Sequence, residues 1–210
     1  MRPASIALLV AAGLAGACGH VPLTSLPKLS KIDIRTTRLA DLRASLSVPA
    51  DIRPLPEGVT MTIVVEPKEG GRHERKAVLE EVRDAAELAA LPVMVSPGRR
   101  LTVFRLSPAD AARLTVFRDE MLLGASQGGN RGSFSLAADK ACRTGDLSGK
   151  PIPMTSYLKT SETQDYVLLM RDVDLRETVR ALDPKIDLAT AIPPCDAPPV
   201  DAVSAPRAAP

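Results

Sequence analysis

Hydrophobic and polar positions alternate with a period of two over several short stretches of the chain, which is the mark of half-buried strands. Ala40, Leu42, Ala44, Leu46 and Val48 alternate with Asp41, Arg43, Ser45 and Ser47, so the first set is expected inward and the second outward. Pro49, Pro54 and Pro56 then break the chain. Val59, Met61, Ile63 and Val65 repeat the pattern, and Pro67-Lys68-Glu69-Gly70-Gly71 closes it as a turn that calls for a hairpin partner. That partner, His73 to Val82, carries both helical and strand spacings; the Gly-rich turn before it selects the strand, followed by a helical turn near Ala86 to Ala90. Leu101 to Leu106 and Ser133 to Asp139 are further strands, and Met154 to Thr160 with Asp165 to Met170 form a second hairpin.

Two segments switch to helical spacing. Ser107 is placed to cap a helix whose first residue is Pro108, with Ala111, Leu114, Phe117 and Met121 on one face and Gly124 as its stop. Asp174 caps a second helix, with Glu177 completing a capping box, and Leu175, Val179 and Leu182 face inward. About seven strands joined mostly by short turns, with two helices, predict an α+β fold: mainly an antiparallel sheet or sandwich with two packed helices.

The first eighteen residues follow another logic. Arg2 supplies a positive start, Ile6 to Leu14 an uncharged apolar core too short to span a bilayer, and Ala15-Gly16-Ala17 small residues before Cys18. This resembles the lipobox of bacterial lipoproteins, in which cleavage precedes a cysteine that then carries the acyl chains, with a departure at Ala15, where Leu is usual. A plain secretory signal cut near Ala17 is the alternative. The resemblance implies a signal peptide over 1–17 and a lipidated tether over 18–30, extended because Gly19 to Leu29 holds Pro22 and Pro27 without helical spacing. It also implies the periplasmic side of the outer membrane, since Gly19 stands where an inner-membrane retention signal would place Asp. A single β-rich domain over 31–195 follows, then a Pro/Ala-rich disordered tail over 196–210.

Removal of 1–17 leaves 210 − 17 = 193 residues, enough for one core. Without Arg2, 26 basic residues face 25 acidic ones, scattered along the chain, so neither nucleic acid nor an anionic surface is an expected partner. Aromatic residues number five, Phe104, Phe117, Phe134, Tyr157 and Tyr166, too few for a base- or sugar-stacking platform. With Cys18 acylated, Cys142 and Cys195 remain, and an oxidising compartment favours a disulfide between them over two free thiols. Neither His20 nor His73 has a second ligand at metal spacing, so no metal and no cofactor is expected.

Gly124-Ala125-Ser126-Gln127-Gly128 matches the GxSxG pattern of serine hydrolases, but a helix precedes it and a strand follows, the reverse of the nucleophile elbow, and both histidines come earlier in the chain. The loop also lacks the Gly-Lys-Ser/Thr ending of a phosphate cradle. It is better suited to meeting a partner: Gly124, Ser126, Gln127, Asn130 and Arg131 are the candidate contact residues, together with any uncovered strand edge. The body loosely resembles small Gram-negative envelope lipoproteins of no assigned activity, through Cys18-Gly19-His20-Val21-Pro22-Leu23-Thr24-Ser25-Leu26, the Phe104-Arg105-Leu106-Ser107 to Asp110 strand-to-helix step and Pro194-Cys195. That resemblance implies no function. The expectation is therefore a lipid-anchored, non-enzymatic binding or assembly component with an envelope protein partner. The alternative is an accessory lipoprotein of a transport system that binds a lipid or other hydrophobic ligand.

Overall fold

A computed structural model describes residues 22–196 apart from 69, 90, 92–96, 123–129, 148 and 183. Its centre is a curled, wholly antiparallel sheet of seven strands, so the fold is α+β. The strands in chain order are β1 (Arg43–Pro49), β2 (Ile52–Pro54), β3 (Val59–Glu66), β4 (His73–Glu81), β5 (Arg99–Leu106), β6 (Arg131–Ala138), β7 (Ala141–Arg143), β8 (Pro153–Lys159) and β9 (Val167–Asp174). Seven of them stand side by side as β6-β3-β4-β5-β1-β8-β9, while β2 and β7 pair separately. The helices are α1 (Leu26–Leu29), α2 (Ala85–Ala89), α3 (Pro108–Leu122), α4 (Leu175–Leu182) and α5 (Leu188–Ala191).

The period-two pattern places the core. Val59, Met61, Ile63 and Val65 are each 2% exposed or less, on the face that also carries Leu42, Ala44, Leu79, Phe104 and Leu158. Helix α3 closes this face with Ala111, Leu114 and Leu122 buried and Phe117 and Met121 packed at its margin. The Ser107 hydroxyl accepts from the Asp110 amide at 3.0 Å, which places the cap, and donates to the Asp110 carboxylate at 3.0 Å. A second, smaller cluster of Val48, Ile52, Leu147, Ile152, Leu188 and Ile192 lies beneath α4 and α5. Asp174 caps α4 through the Arg176 amide at 3.0 Å and also accepts from the Ile152 amide at 2.9 Å.

Three expectations need correction. The segment Gly19 to Leu29, expected extended, is not so where it is described: Leu23–Ser25 is a 3₁₀ turn and Leu26–Leu29 a helical turn, with Ser25 buried. Pro27 sits in the first turn of α1, where its missing N–H costs nothing, so it starts a turn instead of breaking one. Folded structure thus begins within the stretch expected to be tether, ahead of residue 31. The first strand begins at Arg43, because Leu39–Asp41 forms a 3₁₀ turn. Ser45 and Ser47, expected in solvent, are buried. They lie on a central strand whose neighbours Val103, Leu101, Tyr157 and Thr155 stand opposite them and overshadow their small side chains.

One buried charge had no counterpart in the periodicity. Arg118, on α3, is 7% exposed. Its Nη1 donates to the Thr37 carbonyl at 2.5 Å and the Ile34 carbonyl at 3.3 Å, while Nε donates to Asp119 at 2.7 Å. The chain ahead of β1 is therefore tied to α3 by main-chain acceptors that would otherwise be buried without a donor.

Cys142 and Cys195 form the disulfide, with Cα atoms 4.8 Å apart. It ties β7 to the last described residues. The Arg143 amide donates to Pro193 O and the Cys195 amide to Arg143 O, both at 2.9 Å, and the Arg143 guanidinium reaches Ile192 O at 3.0 Å.

Candidate functional site

Of the expected contact residues, Gly124, Ser126 and Gln127 lie outside the described residues, as does the acylation candidate Cys18. Asn130 and Arg131 are described, and they do different things. Asn130 is buried, and its amide group is turned inward: Nδ2 donates to Met121 O at 3.0 Å and Oδ1 accepts from the Lys68 amide at 3.0 Å. Its carbonyl accepts from Arg35 Nη2 at 2.7 Å. One residue thus joins the end of α3, the β3–β4 turn and the N-terminal segment, and fixes where β6 begins. Gly132 completes that fit, since a Cβ there would stand 2.8 Å from Leu122 and 2.9 Å from Ile34. Arg131 is exposed and opens β6.

From there β6 runs as the outermost strand, paired to β3 over eight residues from Glu66↔Arg131 to Val59↔Ala138. The Asp139 amide donates to Gly58 O at 2.9 Å, which sets the phase of the ladder. Odd-numbered residues turn their main-chain groups to β3, and Gly132, Phe134, Leu136 and Ala138 turn theirs outward. Phe134 and Leu136 are half-buried at the margin of the large core, while Ser133, Ser135 and Ala137 are exposed on the opposite face. Among the described residues, nothing hydrogen-bonds to that outward row.

The opposite edge, β9, is built otherwise. Its pairing with β8 carries register shifts at Met154/Ser156 and Ser156/Tyr157, and Asp172 has φ +49. Asp172 is held there by Arg99 Nη1 at 2.6 Å and by Thr155, whose hydroxyl donates to its carboxylate and accepts its amide, each at 3.1 Å. Arg171, Asp172 and Asp174 charge the strand, and the Leu23–Ser25 turn packs against it. Irregularity, charge and cover are the usual means by which a sheet keeps its edge from pairing, and among the described residues none of them is seen along Gly132–Ala138.

A second feature, which no sequence motif marks, is a polar cleft of about 330 Å³ lined by Arg38, Asp41, Arg43, Glu87 and Lys159, with Thr160, Ser161 and Gln164 of the turn after β8. Register creates it: Arg43 on β1 stands opposite both Arg105 on β5 and Lys159 on β8, so three cations lie side by side on one face. Such a row is costly without compensation. Glu87, from α2, pairs with Arg43, Asp41 pairs with Arg38 at 2.6 Å, and the Lys159 ammonium lies 5.8 Å from the Tyr166 ring centroid. Burial pushes the Tyr166 phenol up, and Glu87 pushes it further against the pull of Arg43, so it stays protonated well past neutrality. For Glu162, in the same turn, burial is the largest influence and acts upward. Hydrogen bonds from Thr160, Thr37, its own backbone and Ser161 together outweigh it and hold the carboxyl below its ordinary range. Arg43 is distant in sequence from Glu87, Arg105 and Lys159, its neighbours in space, so no local pattern could have revealed the cleft.

Of the remaining candidates, His73 is the exposed first residue of β4. Among the described residues no helix is long and apolar enough to cross a membrane. Comparison of the chain with protein-family models, with curated proteins and with solved structures finds no match.

Proposed function

We propose that this protein is a lipid-anchored component of the cell envelope, held through Cys18 at the periplasmic side of the outer membrane, and that it works by binding another envelope protein and not by catalysis. The observation that carries this reading is the bare outer edge of β6. An exposed row of amides and carbonyls, with two half-buried apolar side chains beside it, fits an extended segment of a protein partner, which would add a strand to the sheet. Asn130 supports the reading by fixing the start of that edge. The filled large core, with Phe104, Leu39, Leu42, Met61 and Leu114 each 2% exposed or less, favours a protein partner over the alternative of a lipid or hydrophobic ligand held inside the domain.

The test is crosslinking of the acylated protein in membranes, followed by identification of captured proteins and lipids. Capture of a protein that depends on β6, with Cys18→Ser shifting the protein to the soluble fraction, is the expected result. Lipid capture without any protein, or a Cys18→Ser variant that still sediments with membranes, would overturn the corresponding half of the reading.

A further inference from the structure

We infer that the partner of the β6 edge is a second copy of this chain, joined strand to strand about a twofold axis through Ser135. This rests on the reading of β6 as a binding edge and names its occupant. The ladder phase limits the possible registers. The outward main-chain groups belong to the even-numbered residues, so two antiparallel β6 strands bond through even-with-even pairs. Of those registers, the one centred on Ser135 sets Phe134 against Leu136 of the other copy, Gly132 against Ala138 and Ser135 against itself.

That register is also the one that sets Arg131 of one copy opposite Asp139 of the other, twice, because the axis repeats the contact. Both side chains belong to exposed residues on the outer face of the sheet; among the described residues the Asp139 carboxylate is otherwise paired with Lys76, at 3.7 Å, in a pair more than half exposed on each side. Shifting the centre to Phe134 places Arg131 opposite Ala137, and shifting it to Leu136 places Ser133 opposite Asp139; neither makes an unlike pair. Charge thus selects both the occupant and its alignment. Between the two Arg131–Asp139 pairs the facing strands carry no like charges, and no side chain on the outer face there is larger than Ser. On the other face Phe134 and Leu136, incompletely covered in one copy, would cover one another's counterparts in the pair. Acylation would hold copies at one surface and raise their effective concentration, so a short strand-to-strand contact can suffice.

The full acylated chain, purified in detergent, tests this. Ser135→Cys should form an intermolecular disulfide under mild oxidation, because residues facing one another in a non-hydrogen-bonded pair bring Cβ atoms to about 4.5–5.5 Å. Cys142 and Cys195 are already paired and do not compete. By sedimentation, Arg131→Glu should weaken the dimer about tenfold, since two unlike pairs become like pairs, and the double variant Arg131→Glu/Asp139→Arg should restore it. A monomer at every concentration, with no Ser135→Cys crosslink, overturns the second copy as occupant. The binding-edge reading then stands or falls separately: Ser135→Glu either abolishes crosslinking to other envelope proteins, which keeps that reading, or leaves it unchanged, which removes it. A dimer whose Arg131→Glu loss is not repaired by Asp139→Arg overturns the register.

Discussion

The molecule has two apolar clusters, and they are held together differently. The large one, between the sheet and α3, joins side chains from Ile34 to Leu158 and contains no covalent link. The small one, around Val48, Ile52, Leu147, Ile152, Leu188 and Ile192, is flanked by the two-stranded β2–β7 sheet and short helices. It has the disulfide and the run of main-chain bonds around Arg143. Buried area alone can order the first, because a fifteen-residue helix and five neighbouring strands share it. The second offers too little apolar surface to order the chain from β7 to Asp196 unaided, and the crosslink reduces the entropy that ordering must overcome. Where burial is small, covalent and polar ties take its place.

This contrast breaks most sharply at Phe104, which is 2% exposed in the large cluster. Phe104→Ala should cost about 3–5 kcal/mol and lower the single unfolding transition of the whole domain, as read by denaturant titration. Cys142→Ser/Cys195→Ser removes a loop constraint spanning 53 residues of sequence separation. A loss of roughly 2–4 kcal/mol is expected. Hydrogen exchange should place that loss first in 141–147 and 184–196, while β3, β5 and α3 keep their protection; uniform deprotection would show that the two clusters are one cooperative unit. The smallest effect is at the α3 cap, where Ser107→Ala should cost about 1 kcal/mol. There the Asp110 carboxyl is held below its ordinary range by the Arg113 hydrogen bond, with burial opposing and Ser107 adding to it. Its contribution is therefore fully present above the ordinary aspartate pKa and lost as pH falls through the lowered one. Thermal melts from pH 5 down to pH 2 should show less acid destabilisation in Asp110→Asn than in the native chain.

The difference also explains what the sequence disclosed. Val59–Val65, Phe104 and α3 were legible because a strand or helix that buries one face repeats its apolar residues at a fixed period. The Ser107 and Asp174 caps were legible because capping is decided within three residues. Ser45 and Ser47 were misjudged because their burial comes from strands paired across the sheet, which no local period records. Arg118 and the row of Arg43, Arg105 and Lys159 escaped for the same reason: their meaning lies in register. The bareness of β6 was only half legible. Ser133 to Asp139 read as a strand, but which strands lie outermost follows from the β6-β3-β4-β5-β1-β8-β9 order.

The helical turns at Leu23–Leu29 have a mechanical consequence. With the acyl chains on Cys18, only four peptide steps lead to Pro22, the residue from which the 3₁₀ turn departs. Fully stretched, that is about 14 Å. If Cys18 is acylated as proposed, a leash so short would keep the domain against the bilayer, with the 81%-exposed side chain of Leu23 at its near end. So anchored, the protein would be unable to swing far from its membrane to look for a partner. Its partners would then be resident at the same membrane surface, drifting in two dimensions alongside it.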